Sequence, residues 1–455
     1  MEIRCYFIIG MKKRKAGERM KSKKILLKNA NIITEMGEVL LGQDIVIEEG
    51  KITSVLPARE YGAEEAAFDR SVDCSSYYVT PGLTNLHCHC GMNIFKGIAE
   101  DVDSDGWFNK KIFPYESKLE AEDVYVGTKL GVAEMLNCGI TAFADHYFEE
   151  KAVLKAVMEL GIRADIAPTV FGTAPNFEQR LDEVSDFCEK NRNISSRVAV
   201  RMGPHAPYTC PPPTLKRIVD RAKELKLGIH LHVSETREQL AASKEIYGRT
   251  PYDMLAEAGG FDQQVLVAHG LWMEQEDVKY LGENTWLAFC PKTYEKLAMG
   301  TGLAFKNRRN FPYSFGTDGA ASSNSLNTCE QARYFGLLGK FETWDACDYE
   351  TMEVWQALMR GHEAFSFNSG RIAPGYAADL VIWDLKKPNT WPVYHPVTSI
   401  LYSSEPSNVL YTMVEGEFLK ENGKLVLDEA ALLDEGAAVQ KKILERGQGE
   451  AKVYY

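Results

Sequence analysis

The sequence has few of the features that would assign a special environment: paired cysteines, long apolar runs and an excess of basic residues. Its ten cysteines are scattered through 455 residues and none forms a C-x-x-C pair, so a disulfide framework is not expected and a reducing cytosol is indicated. No run approaches the ~18 apolar residues of a membrane span. The net charge of −12 disfavours binding to a nucleic-acid backbone.

The first 23 residues are interpreted apart from the fold. A short apolar patch at positions 6–10 is followed by four basic residues at 12–15. A signal peptide needs a longer apolar core, with its charges before that core. Met11 and Met20 are alternative starts. We therefore expect residues 1–23 to be a disordered extension or an over-extended start.

What remains has the composition of an ordinary globular protein, with 45% hydrophobic and 25% charged residues. The length suggests about two to three domains. Residues 24–78 and 372–430 contain short β-rich runs separated by glycines, and neither segment is large enough to close a β-core alone. We therefore predict one composite β-sandwich domain built from both chain ends.

Between these segments, residues 79–371 alternate short apolar strands with amphipathic helical stretches. Repeated strand–helix units of this kind predict a parallel sheet, and their number fits one (β/α)8 barrel. The predicted fold is therefore α/β, a barrel flanked by the β-sandwich, with residues 431–455 as a C-terminal tail that starts as a helix. In such barrels the chemistry lies at the carboxyl ends of the strands.

Histidines occur in pairs near two of these predicted strand ends. His87 and His89 are two residues apart, as are His230 and His232, so each pair shares one face of its strand. Imidazoles that converge in a barrel mouth can bind a metal, although buried histidines bonded to backbone are equally compatible with H-x-H. Because His232 is nearer the strand end, we choose it as a ligand and place His230 one layer deeper.

Three more polar residues follow apolar strands. His269 ends the run 265–269, Glu235 lies just past the strand that carries His232, and Asp318 precedes a glycine. Each has a simpler interpretation: a structural histidine, a solvent-facing glutamate and a helix cap. Together they place histidines and carboxylates at successive strand ends, in the order seen in one known family.

On these residues the sequence resembles the amidohydrolase superfamily, and most closely the branch of methylthioadenosine/S-adenosylhomocysteine deaminases, cytosine-deaminase-like enzymes and s-triazine hydrolases. The resemblance covers residues 25–425. The motifs that carry it are Pro81-Gly82 with His87 and His89, His232 with Glu235, His269, Gly316-Thr317-Asp318-Gly319-Ala320-Ala321-Ser322, Gly370-Arg371-Ile372, Pro374-Gly375 and Ala378-Asp379-Leu380.

The resemblance implies one divalent metal, with zinc expected and iron as the alternative. Its ligands would be His87, His89, His232 and Asp318. Relatives with two metals use a carboxylated lysine at the end of strand four, and the predicted strand 198–203 has no lysine. A mononuclear site is therefore expected.

The expected reaction is replacement of an exocyclic amino group by oxygen. An open metal site lowers the pKa of bound water towards ~7, and the resulting hydroxide would attack the ring carbon. Asp318 and His269 would orient and deprotonate the water. Glu235 would carry a proton to the ring nitrogen and then to the leaving ammonia.

Substrate contacts are also inferred from the resemblance. Trp107 and Glu116 match a tryptophan and a glutamate that contact the nucleoside. Arg180 matches an arginine that approaches the far end of the substrate, and His205 matches a base-contacting histidine. In adenosine-type relatives a second arginine is present, and it has no clear match near Pro168.

Two departures from the family pattern alter the predicted pocket. The usual Pro-x-Ser-Asn-x-Lys-Leu reads Pro291-Lys292-Thr293-Tyr294-Glu295-Lys296-Leu297, which brings Tyr294 to the pocket border. His146 stands where methionine is usual, and a histidine can donate to a polar substrate group. We expect both residues to contact the substrate.

The best single prediction is a cytoplasmic deaminase of an adenosine-type nucleoside: methylthioadenosine, S-adenosylhomocysteine or adenosine. The alternatives are a guanine, 8-oxoguanine or pterin deaminase, an s-triazine-type hydrolase, and a non-catalytic binding protein on this scaffold. A cyclic-amide hydrolase is disfavoured by the missing lysine. The H-x-E and P-C-x-x-C motifs of nucleic-acid deaminases are absent. The expected partner is a small N-heterocycle, without nucleic acid or membrane, and a homo-oligomer is expected because relatives are often dimers or larger.

Overall fold

The computed structural model describes residues 24–59, 62–102 and 106–451, so the N-terminal extension expected at 1–23 lies outside the described residues. The strands in chain order are β1 Lys24–Ile33, β2 Val39–Glu48, β3 Lys51–Pro57, β4 Arg70–Asp73, β5 Tyr78–Pro81, β6 Leu83–His89, β7 Ile140–Tyr147, β8 Arg163–Val170, β9 Val198–Val200, β10 Gly203–Pro204, β11 Ile229–Val233, β12 Val265–His269, β13 Thr285–Phe289, β14 Tyr313–Phe315, β15 Asp318–Gly319, β16 Leu380–Trp383, β17 Val409–Val414, β18 Glu417–Glu421 and β19 Lys424–Leu425.

The helices connect and cover these strands. In chain order they are α1 Phe113–Glu116, α2 Ala121–Asn137, α3 Glu150–Leu160, α4 Phe177–Asn191, α5 Pro212–Leu225, α6 Arg237–Tyr247, α7 Pro251–Glu257, α8 Pro291–Lys296, α9 Gly302–Asn307, α10 Ala320–Ser323, α11 Thr328–Thr343, α12 Thr351–Met359, α13 Pro396–Thr398 and α14 Glu429–Arg446. Residues 275–280 form a 3-10 helix.

One nine-stranded sheet takes strands from both chain ends, in the order β19-β18-β17-β16-β5-β1-β2-β3, with β4 beside β1. The joining step is the antiparallel pairing of β5 with β16, in which Val79 faces Ile382. Its apolar residues form their own core, which includes Ile25, Ile45 and Leu380. The boundary expected at residue 78 falls at the start of β5, a strand of this sheet.

The middle of the chain forms two parallel sheets. One has the order β10-β8-β7-β6-β15, with β9 beside β8, and the other has the order β11-β12-β13-β14. Strands β11 and β12 are buried along their whole length, as is typical of parallel strands covered on both faces. A parallel bridge joins Met202 to Ile229 between the two sheets, and the Thr317 amide donates to the His87 carbonyl at 2.8 Å.

A buried ion pair connects the nine-stranded sheet to the parallel strands. Arg163, at the start of β8, donates from Nε to Asp379 Oδ2 at 2.6 Å and from a terminal nitrogen to Oδ1 at 3.1 Å. The Glu415 amide donates to the same carboxylate at 2.8 Å. Because a two-point contact fixes orientation as well as distance, this pair sets how the two regions pack. Among the described residues, no helix is long and apolar enough to cross a membrane.

Candidate active site

A cavity of about 430 Å³ opens where the parallel strands end. Most of the side chains that the sequence selects line it. They are His89, Trp107, Glu116, His146, His205, His232, Glu235, His269 and Asp318. His87 lies beneath the cavity floor and is fully buried. Tyr294 and Arg180 are not among the lining residues.

Two histidines on the cavity floor have one ring nitrogen engaged by a backbone carbonyl. Nδ1 of His89 lies 2.5 Å from the His146 carbonyl oxygen, and Nδ1 of His232 lies 2.8 Å from that of His205. A carbonyl can only accept, so each Nδ1 carries the proton and each Nε2 lone pair is left for another partner. The two Nε2 atoms are 3.2 Å apart. This is the arrangement that metal-binding histidines need.

His87 completes the group from below. Its Nδ1 lies 2.9 Å from Nε2 of His230, which matches the deeper position expected for His230. Its buried Nε2 has no hydrogen-bond partner among the described residues. Ligand atoms of His87, His89 and His232 all lie within 4.8 Å of one another, as do those of His87, His269 and Asp318.

Asp318 supplies the negative charge. Its Oδ1 lies 3.2 Å from Nε2 of His89 and 3.6 Å from Nε2 of His87, and its Oδ2 accepts from the Ser322 hydroxyl at 2.6 Å. Burial lowers the pKa of His89, but the Asp318 carboxylate reverses this and raises it to about 9. The cluster therefore favours one positive charge at its centre, and an orphaned nitrogen, imidazoles and a carboxylate fit a divalent cation such as zinc.

Glu235 stands at the edge of this cluster, just after β11. Its Oε1 lies 3.7 Å from Nε2 of His269. Gln239, one turn along α6, accepts from the Glu235 amide at 3.0 Å and donates to its carboxylate at 3.4 Å. Burial and the nearby Asp318 charge raise the pKa of Glu235. A carboxyl group with a raised pKa beside a metal-type cluster is suited to exchanging protons near neutral pH.

Glu116 marks another part of the cavity wall. Its Oε1 accepts from the Tyr147 hydroxyl at 2.7 Å, and burial raises the pKa of its carboxyl group. Trp107 lines the cavity beside it, with its indole N–H donated to the Ala321 carbonyl at 3.2 Å. The indole can therefore offer the cavity only its ring surface.

His146 and His205 line the cavity next to the cluster. Nδ1 of His146 lies 3.2 Å from the Thr169 hydroxyl, and its Nε2 lies 3.4 Å from the Pro204 carbonyl. Both nitrogens of this ring are therefore engaged by the protein, which leaves no donor for a substrate in this arrangement. His205 has Nδ1 at 2.8 Å from the Thr209 hydroxyl.

Two residues predicted to contact the substrate, Tyr294 and Arg180, contact other protein groups instead. The Tyr294 hydroxyl accepts from the Cys290 amide at 2.8 Å and lies 3.3 Å from Nδ1 of His269, so this side chain lies under the cavity wall. Arg180 pairs with Glu150 through two contacts of 2.8 and 3.2 Å. The structure does not bring either residue to the cavity surface.

Some residues of the site had no predicted role. Ser322, Gln239 and Tyr147 orient Asp318, Glu235 and Glu116 respectively. Ser322 and Gln239 each follow their partner by four residues, which is the spacing of neighbours on a helix. That spacing could have identified both; nothing in the sequence pairs Tyr147 with Glu116.

Comparison with known proteins identifies the family of the chain. The model of the amidohydrolase family matches residues 78–426 of the chain. The chain belongs to the amidohydrolase family. The expected class of enzyme, a hydrolase of carbon–nitrogen bonds, is thereby confirmed.

Individual relatives of this amidohydrolase cover nearly its whole length. A 5-methylthioadenosine/S-adenosylhomocysteine deaminase of Caldicellulosiruptor saccharolyticus is 36% identical over 92% of the chain and 99% of the relative. A 5'-deoxyadenosine deaminase of Methanosarcina mazei is 34% identical, covering 93% and 99%. The crystal structure of an adenosine deaminase from Xanthomonas campestris with bound zinc superposes with a TM-score of 0.85 at 25% identity, covering 92% of this chain and 98% of that one.

Proposed function

We propose that this amidohydrolase is a mononuclear metal-dependent deaminase of adenosine-type nucleosides. One observation carries the proposal: a single cavity combines the histidine–Asp318 cluster with Glu235 beside it and the Glu116 carboxylate in its wall. The cluster suits attack on an amino-substituted ring carbon, and a carboxylate can accept the two hydrogen bonds of a ribose diol. The names of the two sequence relatives described above, both deaminases of adenosine nucleosides, agree with this combination.

The metal would be held by His87, His89, His232 and Asp318, and zinc is the metal we propose. When bound, such a cation supplies Lewis acidity and lowers the pKa of a water molecule towards ~7. Neither β9 nor β10 carries a lysine that could bridge a second metal. The donor set of three imidazoles and one carboxylate therefore supports one ion per chain.

The remaining groups move and hold protons. Glu235 accepts the proton of the attacking water and passes it to the ring nitrogen next to the reacting carbon. His269, with Nε2 toward Glu235 and Asp318, orients the water and the developing oxygen. Glu235 then takes the remaining proton of the attacking oxygen and donates it to the amino group, which leaves as ammonia. The raised pKa of Glu235 brings it closer to the working pH, as both halves of this exchange require.

The nucleoside would occupy the rest of the cavity. Glu116 accepts from the ribose hydroxyls, held in place by the Tyr147 hydroxyl. The Trp107 ring packs on the sugar or base, because its N–H is already used. His205, with Nδ1 occupied by Thr209, directs its other nitrogen to the purine.

The finer parts of the architecture are part of the same proposal. The Met202–Ile229 bridge and the Thr317–His87 hydrogen bond support closure of the two parallel sheets into a (β/α)8 barrel. The nine-stranded sheet is proposed as the flanking β-domain, with the expected bounds 24–78 and 372–430 extended through the end of β5 at residue 81, and the rest of the expected 79–371 segment as the barrel. A cytoplasmic homo-oligomer is proposed; all nine described cysteines are free thiols, as a reducing compartment requires.

The test is ammonia release from the purified protein, after its metal content has been measured. The panel contains adenosine, 5'-deoxyadenosine, methylthioadenosine, guanine, 8-oxoguanine, a pterin and an aminotriazine. We expect turnover of the adenosine group and about one metal per chain. Glu235→Gln should bind the same metal and lose activity by a factor of about 10³ or more. Turnover of guanine or triazines alone would refute the nucleoside assignment and leave the hydrolase class intact.

A further inference from the structure

We propose that this site accepts adenosine nucleosides with an uncharged 5' substituent and discriminates against those that carry a carboxylate or phosphate there. The inference rests on the proposed function and concerns its substrate class. It separates this chain from relatives whose names include S-adenosylhomocysteine, a nucleoside with an amino-acid group at the 5' end. The argument starts from Arg180.

Arg180 is the cation that the family pattern places at the far end of the substrate, and here it is held by another residue. Both terminal nitrogens contact the Glu150 carboxylate, at 2.8 and 3.2 Å, and Nε donates to the Thr169 carbonyl at 3.2 Å. Thr169 lines the cavity, whereas Arg180 and Glu150 do not. Glu150 is 5% exposed, which makes the pair costly to open.

No other cation takes the place of Arg180. Among the described residues that line the cavity there is no lysine or arginine, whereas Glu116, Glu235 and Asp318 are acidic. The metal proposed here offsets Asp318 only at the cavity floor. A carboxylate or phosphate at the 5' end would therefore find no basic side chain among the described lining residues to pair with.

Much of the cavity wall is apolar, including Phe171, two residues after Thr169. Phe171 follows β8 and packs on His205 with ring centroids 4.6 Å apart, and Tyr208 contacts the same ring edge to face, with centroids 5.6 Å apart. Other large apolar residues of the lining include Met92, Trp107, Phe108, Phe148, Leu297 and Met299. Such a wall favours a methyl or thioether group over an ion, which would lose its hydration without compensation.

The discriminating experiment compares kcat/KM for five adenosine derivatives at fixed pH and ionic strength. They are 5'-deoxyadenosine, methylthioadenosine, 5'-butylthio-5'-deoxyadenosine, S-adenosylhomocysteine and adenosine 5'-monophosphate. The butylthio compound matches the length of the homocysteine chain without its charges. We expect the three uncharged compounds to exceed the zwitterionic S-adenosylhomocysteine and the anionic monophosphate by about 100-fold or more, the scale of an unpaired buried charge.

Each pattern of results has a distinct meaning. If S-adenosylhomocysteine turned over within tenfold of methylthioadenosine, charge discrimination would be refuted while the proposed deaminase function stood. Equal rejection of the butylthio compound and S-adenosylhomocysteine would refute it as well, because size alone would explain the preference. Absence of turnover with all five would refute the proposed function together with the inference.

A pair of variants tests the role of Glu150. Glu150→Gln keeps the shape of the side chain and removes the charge that holds Arg180. Glu183→Gln removes an exposed acidic charge whose hydrogen-bond partner is the Gln179 amide rather than Arg180. We expect Glu150→Gln alone to raise kcat/KM for S-adenosylhomocysteine about fivefold relative to methylthioadenosine. An unchanged ratio would refute the proposal that this ion pair keeps Arg180 from the substrate.

Discussion

Two groups of buried histidines lie in this molecule, and their ring nitrogens are treated differently. His362 is almost fully buried, with Nδ1 2.8 Å from the Ser369 hydroxyl and Nε2 2.8 Å from the Gly82 carbonyl. His89 and His232 are each fixed by a backbone carbonyl at Nδ1, while their Nε2 atoms face each other and, at His89, the Asp318 carboxylate. Burial does not distinguish the two groups. They differ in whether a backbone carbonyl of the protein is bonded to Nε2.

The comparison has a physical basis. A buried polar atom without a partner costs free energy, so most buried polar groups are paired. At His362 the protein supplies a hydrogen-bond partner for each of the two ring nitrogens. At the cluster it leaves Nε2 of His87 without a protein partner, a cost that a bound cation would offset.

The largest effect is expected from a substitution in the histidine–Asp318 cluster. His232→Gln removes a ring nitrogen proposed as a ligand while keeping a polar side chain of similar reach. Bound metal should fall well below one per chain, and kcat/KM should drop by a factor of about 10³ or more, because the metal supplies the chemistry. Metal analysis and steady-state kinetics measure the two effects. A variant that kept one metal and wild-type rates would place the ligand set elsewhere.

A smaller effect is expected at Tyr294, whose hydroxyl lies between the Cys290 amide and Nδ1 of His269. Its hydroxyl accepts from the Cys290 amide, so its own proton is available for Nδ1 of His269, and this leaves the other proton of that ring on Nε2. Tyr294→Phe should lower kcat about tenfold with little change in KM, as expected for loss of an orienting partner.

The matched control for this change is Tyr402→Phe. The Tyr402 hydroxyl is buried and has no hydrogen-bond partner among the described residues. Both variants lose one buried hydroxyl group, so a general structural effect should appear in both. An equal loss of kcat in the two variants, or a loss expressed in KM alone, would contradict a positioning role for Tyr294.

The smallest effect on activity is expected at His362. Burial lowers its pKa, so the unfolded chain binds a proton below about pH 6.5 that the folded chain does not, and the stability due to neutral His362 is lost as the pH falls. His362→Gln should keep kcat/KM within about twofold at pH 7, since it lies outside the cavity, and should weaken the loss of stability between pH 7 and 5 by about 1 kcal/mol.

Denaturant unfolding at the two pH values measures this difference. If wild type and His362→Gln lost the same stability on acidification, His362 would not titrate as described. If His362→Gln lost bound metal instead, His362 would contribute to the metal site, and the distinction between the two groups of histidines would be wrong.

The sequence predicts some features of this site well because they follow from local periodicity. Alternation on a strand places His87 and His89 on one face, and the position after β11 frees Glu235. Both rules depend on a few neighbouring residues. The nine-stranded sheet was also expected as a region, because both chain ends have the same glycine-punctuated β pattern.

Other features depend on pairings between distant residues. Arg180 was expected at the substrate, but Glu150, thirty positions earlier, captures its guanidinium group. Tyr294 was expected at the pocket border, and its hydroxyl turns instead to His269. Position on an element was predictable in both cases. Which polar group a long side chain reaches is decided by packing that the sequence pattern does not contain.

The pairing of β5 with β16 affects how the chain folds during its synthesis. Roughly three hundred residues separate Val79 from Ile382, its partner across the strands. During synthesis β1–β5 emerge first and present an open edge until the last quarter of the chain arrives. Contacts of such separation slow folding, and unpaired edges invite association between chains. Mutations that weaken β16 should therefore reduce the yield of folded protein at high expression before they alter the finished enzyme.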